Sequence, residues 1–219
     1  MAAAIRPAAG GASRMRLLEL EARLAATRSA VVCAFHQMLD LKDLDTGCHS
    51  TRLAEWGVRV AEELGMEEAL FQAVEVSALL HDIGKMGVPD AILQKPGALT
   101  DEEYALLKRH SEYGWAILRL IPGFEAVSHF VLHHHERMDG RGYPAGLRGE
   151  EIPMGARVIA VIDAFDAMVS DRPYRRGLGG EEALRRLQEA AGSQFDRRVV
   201  ASFSAFASVE MATVAAAAS

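Results

Sequence analysis

Leu80-His81-Asp82-Ile83-Gly84-Lys85 sets an imidazole beside a carboxylate directly after the apolar segment Val76–Leu80. Two ionisable side chains are costly to leave unpaired in a core, and a metal ion is the usual partner that makes such burial tolerable. More donors follow: His110, the run His133-His134-His135-Glu136, and Asp163. His and carboxylate groups suit Fe, Mn, Zn or Mg rather than thiophilic ions. Asp45 and His49 are four residues apart, and Asp163 and Asp166 three apart, spacings that share a face once the segment is helical. Taken singly, each has an ordinary reading: a packed histidine, a helix-end histidine favoured by the macrodipole, or, for Asp166, a carboxylate paired with an arginine. Their arrival on separate helical segments is what favours one shared site.

Helix signals are strong throughout and strand signals weak. Leu17, Leu20, Leu24, Val31, Val32, Phe35 and Leu39 recur at helical intervals between Arg16 and Leu41. A second helix is expected from Ser50 to Leu64 with Gly65 as its stop, and a third from Glu67 to Leu80 that delivers the doublet. Thr100 and Glu103 form a capping box opening a helix that carries His110. Phe124 to His135 reads as another helix. Gly140, Gly142, Pro144, Gly146 and Gly149 then make residues 137–153 an ordered loop. Ala156–Ser170 is helical and very apolar apart from Asp163 and Asp166, so at least one of these carboxylates is expected to point inward toward cations. Gly179-Gly180-Glu181-Glu182 reads as a helix start, and last helices are expected over Glu181–Ala191 and Asp196–Val209. The ends, Met1–Ser13 and Ala212–Ser219, are expected to fray. The fold class is therefore all-α, in a single domain.

Composition narrows the function. A formal net charge of −6 disfavours a nucleic-acid polymer as partner, which would need a basic excess. A small anion remains suitable, since Arg172-Pro173-Tyr174-Arg175-Arg176 is a local basic cluster. Cys33 and Cys48 lack Cys-x-x-Cys spacing, which suggests a reducing compartment, and Cys48 reads as small core filler. His36 and His129 read as packed or surface residues. No apolar run approaches the roughly 20 residues of a membrane span, so no membrane association and a cytoplasmic location are expected.

The ordered series resembles the HD-GYP branch of the HD phosphohydrolase superfamily. The matching segments are Thr46-Gly-Cys-His49-Ser, Leu79-Leu-His-Asp-Ile-Gly-Lys85, Pro89-Asp90-Ala-Ile-Leu, Lys95-Pro-Gly, His134-His-Glu136, Asp139-Gly-Arg-Gly-Tyr-Pro144, Asp163-Ala-Phe-Asp166-Ala-Met, Ser170-Asp-Arg-Pro-Tyr-Arg175 and Gln194-Phe-Asp196. The resemblance spans about residues 30–208. It implies an HD-domain helical bundle with a multinuclear metal site in its core: a tail and helix start over 1–27, the catalytic domain over 28–209 and a terminal tail over 210–219.

Carried over position by position, the resemblance implies metal ligands at His49, His81, Asp82, His110, His134, His135 and Asp163, with Asp82 bridging two metals. Asp45 stands where a third metal would be held, although glutamate is more usual there. His133 is a neighbour of the matching pair. Two or three divalent metals, iron or manganese, are implied. Paired cations stabilise both the attacking and the leaving oxygen of an in-line displacement. The resemblance implies hydrolysis of cyclic di-GMP, to linear pGpG in some members and onward to GMP in others. Asp82 and Lys85 are then catalytic, Lys85 acting on the phosphate or leaving group, and Asp166 orients hydroxide or substrate. Lys85, Arg172 and Arg175 contact phosphate, and Gly142 and Tyr143 shape the nucleotide pocket. Met138 and Gly179-Gly180 depart mildly from the family pattern without removing chemistry. The alternatives are the same chemistry on cyclic GMP-AMP, a different HD hydrolase acting on nucleotides, or a low-turnover regulatory module that binds a partner such as a diguanylate cyclase. The roughly 30 residues before the core read as a helix through which a homodimer forms, or as the start of a free-standing chain.

Overall fold

Apolar residues at three- and four-residue intervals close as helices along most of the chain. The computed structural model describes residues 10–42, 47–171 and 176–217. Its elements are α1 (Gly10–Lys42), α2 (Gly47–Glu63), α3 (Glu68–Leu80), α4 (Asp90–Leu93), α5 (Asp101–Lys108), α6 (His110–Leu118), α7 (Glu125–His133), α8 (Met154–Val169), α9 (Gly180–Ala190) and α10 (Arg197–Ala217). Short 3₁₀ turns cover Ile83–Gly87 and Gly149–Glu151. Among the described residues no strand forms; a lone bridge pairs Ala191 with Phe195. The all-α expectation holds.

α8 is the central helix. Gly155, Ala156, Val158, Ile159, Val161, Ile162 and Phe165 are all buried, and it touches α2, α3, α7, α9 and α10. A helix that is apolar on most sides has to be surrounded. Trp56 of α2, Phe165 of α8 and Phe203 of α10 meet edge to face with centroids 4.9–5.5 Å apart, a geometry that suits the ring quadrupole. α2 turns back into α3 at Gly65, whose φ of 66° is the left-handed cap conformation. Met66 N donates to Ala61 O and Gly65 N to Glu62 O, closing the end of α2 as the sequence predicts.

Three expectations are corrected. The helix opened by Thr100 does not run through His110: Arg109 N donates three residues back to Leu106 O, the turn tightens, and His110 heads a new helix. The helix before the histidine run stops at His133, leaving His134 and His135 in the following turn. Helix extends further toward both termini than expected, α1 beginning at Gly10 and α10 running to Ala217. Alanine-rich ends favour helix because alanine loses least on helix formation. The capping box is confirmed, with Glu103 N to Thr100 Oγ1 at 3.3 Å and Thr100 N to Glu103 Oε2 at 2.8 Å. Among the described residues no helix is long and apolar enough to cross a membrane.

Candidate metal centre

Each donor reaches the centre because a helix ends or turns there. His81 caps the C-terminal end of α3 and Asp82 opens the 3₁₀ turn, with Lys85 N donating to Asp82 O at 2.8 Å. That turn lies against the start of α6, and Gly84 permits the approach. A Cβ on Gly84 would collide with the His110 carbonyl and come within 2.5 Å of Gly114 N. His49 comes from the first turns of α2 and Asp163 from α8.

The donors form two groups: His110, His134 and His135, and His49, His81 and Asp163, the ligand atoms within each lying within 4.8 Å of one another. Asp82 stands between them. Its Oδ1 is 3.6 Å from His110 Nε2 in one group, and its Oδ2 is 3.3 Å from His81 Nε2 in the other. One oxygen toward each group is the placement a bridging carboxylate requires.

The histidine rings are set by their second nitrogens. His81, His110 and His134 each hold Nδ1 at 2.6–2.8 Å from the carbonyl three residues earlier, of Ala78, Leu107 and Val131. Only a protonated Nδ1 can make that bond, so Nε2 is the atom turned to the centre. This is the usual outer support of a metal-bound imidazole. His49 is oriented by carboxylates instead. Asp163 Oδ1 lies 3.6 Å from its Nε2, and Asp166, one turn later on α8, hydrogen-bonds its Nδ1.

Burial, reinforced by the adjacent histidines, pushes His134 well below its ordinary value and His135 to about 3, and burial also lowers His110. These three imidazoles are neutral at pH 7 and offer lone pairs. Burial also opposes charge on His81, but the Asp82 and Asp163 carboxylates outweigh it and raise the group to about 9. Burial would raise Asp82, yet the Lys85 and His81 charges hold it well below the carboxylate range. The donor set of five imidazoles and two carboxylates fits borderline-to-hard divalent ions. A cation bound there would take the place of the His81 proton, as metal binding generally does.

Above the donors opens a cavity of about 720 Å³, within the range of small-molecule sites. Lys85 lines it, its Nζ 2.8 Å from Asp82 Oδ2. Tyr143 lines another side, its ring 4.8 Å from that of His135 and 5.8 Å from Lys108 Nζ. Burial pushes the Tyr143 phenol up, so it remains a neutral donor. Leu93, Leu99 and Leu107 add an apolar shelf, with Lys95 beside it.

The loop carrying Tyr143 is tied to the ligands. Tyr143 N donates to His135 O at 3.2 Å. Gly142 lies so close to the chain that a Cβ would sit 2.5 Å from Glu136 Cα and 2.6 Å from His135 O. The buried Glu136 carboxylate accepts N–H bonds from Ala145, Gly146 and Leu147 at 2.7–3.1 Å. Met138 N and Asp139 N donate to Gln194 O and Ser193 O. Ser193 and Gln194 thereby anchor the loop to the bundle.

The structure thus brings together His49, His81, Asp82, His110, His134, His135, Asp163, Lys85, Gly142 and Tyr143. His133 lies outside both groups, its Nδ1 3.6 Å from Glu136 Oε1. Asp166 is 1% exposed, and its oxygens are engaged by Arg52, Ser170 and, among the donors of the centre, His49. Asp45, Arg172, Arg175 and the side chain of Cys48 lie outside the described residues. Two groups escaped the sequence reading: Arg52, which lines the cavity and binds Asp166, and the role of Glu136. The signal for Arg52 was its position one turn after His49 on the same helix.

The HD domain family matches residues 33–199. A cyclic di-GMP phosphodiesterase of Thermotoga maritima is 42% identical over 170 residues, covering 77% of this chain and 46% of that protein. A 3'3'-cGAMP-specific phosphodiesterase of Vibrio cholerae is 37% identical over 166 residues, covering 76% of this chain and 36% of its own length. The chain spans less than half the length of these two relatives. An HDG"Y"P protein from Bdellovibrio bacteriovorus shares the fold, with a TM-score of 0.58 at 23% identity over 71% of this chain and 50% of that one. With the family matched over most of its length and Gly142-Tyr143-Pro144 packed beside the histidine donors, the chain belongs to the HD-domain family, in its HD-GYP branch.

Proposed function

We propose that this chain is a metal-dependent phosphodiesterase that hydrolyses cyclic di-GMP to linear pGpG. The observation that carries the reading is Asp82, with one oxygen directed to each of two donor groups at the floor of the cavity. His110, His134 and His135 would hold one divalent ion, His49, His81 and Asp163 the other, and Asp82 both. Iron or manganese suits these donors, and Asp45 is the proposed ligand of a third ion. Bound there, such ions supply Lewis acidity that activates water and offsets charge on phosphate.

The protein's own groups do the rest. The Lys85 ammonium lies between Asp82 and the cavity, placed to neutralise a phosphate oxygen or to protonate the departing 3'-oxygen as the P–O3' bond breaks. Tyr143 offers a ring face and a neutral hydroxyl to the nucleotide, on a loop that Glu136 holds in place. We assign Asp166 and Arg52 to positioning: they fix the His49 ring, replacing the direct catalytic role expected of Asp166. Arg172 and Arg175 are proposed phosphate contacts, since guanidinium forks match phosphate oxygens.

A second reading is the same chemistry on cyclic GMP-AMP, favoured by the likeness to the cGAMP-specific relative. The iron- or manganese-loaded protein is incubated with each dinucleotide and linear products are followed. Turnover of cyclic di-GMP supports the first reading, and preference for cyclic GMP-AMP the second. No turnover of either contradicts both and leaves a regulatory module. His81→Ala and Asp82→Ala should lower metal content and activity together. Tyr143→Phe should keep metal and raise KM, and equal metal loss there would contradict its role.

A further inference from the structure

α1 has two apolar faces. Val32 and Leu39 are buried and Phe35 packs against the core, where α1 meets α3 and the Ile83–Gly87 turn. A second row follows alternating three- and four-residue steps: Leu17, Leu20, Leu24, Thr27, Val31, Ala34, Met38 and Leu41. Within it Leu17, Leu20, Leu24, Met38 and Leu41 are 57%, 53%, 62%, 45% and 86% exposed. This 3.5-residue period is that of a two-stranded coiled-coil seam rather than of a core-facing helix. The row lies about 100° around the helix from the buried face, given 3.6 residues per turn. Covering it therefore leaves the docking of α1 on its own domain intact.

Residues 14–30 are exposed throughout, almost five helical turns with little support from the body of the protein. Helices of this kind draw most of their stability from packing an apolar face. We propose that a second copy of this chain covers the row, the two α1 helices forming a parallel coiled coil along about 36 Å from Leu17 to Leu41.

Charge at the first two layers suits the parallel register. In it Arg16 of each helix faces Glu21 of the other, two opposite-charge pairs flanking the Leu17 and Leu20 layers. Arg23 would face Arg28 at the next such position. Arg28, however, is drawn to its own domain, donating to Gly123 O at 3.3 Å with its guanidinium 5.5 Å from the Phe124 ring centre. Thr27 brings no unmet donor into the seam, because its hydroxyl donates to Arg23 O at 2.8 Å. The far end of the seam reaches the site, since α1 packs on the turn that carries Lys85 and its last residue, Lys42, pairs with Asp90.

Sedimentation equilibrium of the 219-residue protein at micromolar concentration should give twice its 23.7 kDa mass. The Leu20→Glu/Leu24→Glu variant should sediment as a monomer with unchanged metal content. Leu20→Cys with Cys33→Ser and Cys48→Ser should oxidise to a disulfide-linked dimer, which places the two Leu20 positions in one layer. A monomeric parent, or a dimer that survives the double glutamate variant, overturns the proposal. A dimer in which Leu20→Cys does not cross-link overturns the parallel register.

Discussion

His49 is held at Nδ1 by the Asp166 carboxylate, while its Nε2 faces Asp163, one turn earlier on α8, across 3.6 Å. Outer partners of this kind are worth about 10–100-fold in metal affinity. Asp166→Asn, which keeps the shape and removes the charge, should weaken metal binding by about that factor in a competition with a chelator, with the fold unchanged by circular dichroism. Glu136 plays the corresponding part for the Tyr143 loop. Glu136→Ala strands three backbone N–H groups, at about 1–3 kcal/mol for each that water cannot reach. Thermal unfolding should show a clear loss of stability and KM should rise, whereas Glu136→Gln should recover part of both. An unchanged KM in Glu136→Ala would remove its positioning role. His81-Asp82 was legible because two ionisable groups stand together after an apolar run. Arg52 and Asp166 were not legible as a pair, because 114 residues separate them and only the packing of α2 on α8 brings them together.

Helix ends, more than helix bodies, make the centre. The capping box at Thr100 and the stop at Gly65 were readable, since each depends on residues within one or two turns. The break at Arg109 and the early end of α7 at His133 were not. They change the direction of His110, His134 and His135 without altering local composition; the Ile83–Gly87 turn packs on α6 at the first, and α7 ends where it packs on α3, α6 and α8. Gly84 is the closest point of the contact between that turn and α6. Gly84→Ala should push the turn away from α6, separating Asp82 and Lys85 from His110. The expected result is lower metal content and activity with helical content preserved. Metal content equal to that of the parent would show that the contact does not set the donor geometry.

For the molecule as a whole, the apolar periodicity announced an all-α bundle, and the ordered donors announced a site where several helices converge. The resemblance implied that Asp82 bridges two metals; which donors fall on which side of it was not legible, because that depends on the three-dimensional placement of five segments. That division is the central claim, and it has a countable consequence. Metal analysis of the protein purified anaerobically should give at least two iron or manganese ions per chain: two if only the donors around Asp82 are filled, and three if Asp45 is also a ligand. A single ion per chain, or none, would contradict it.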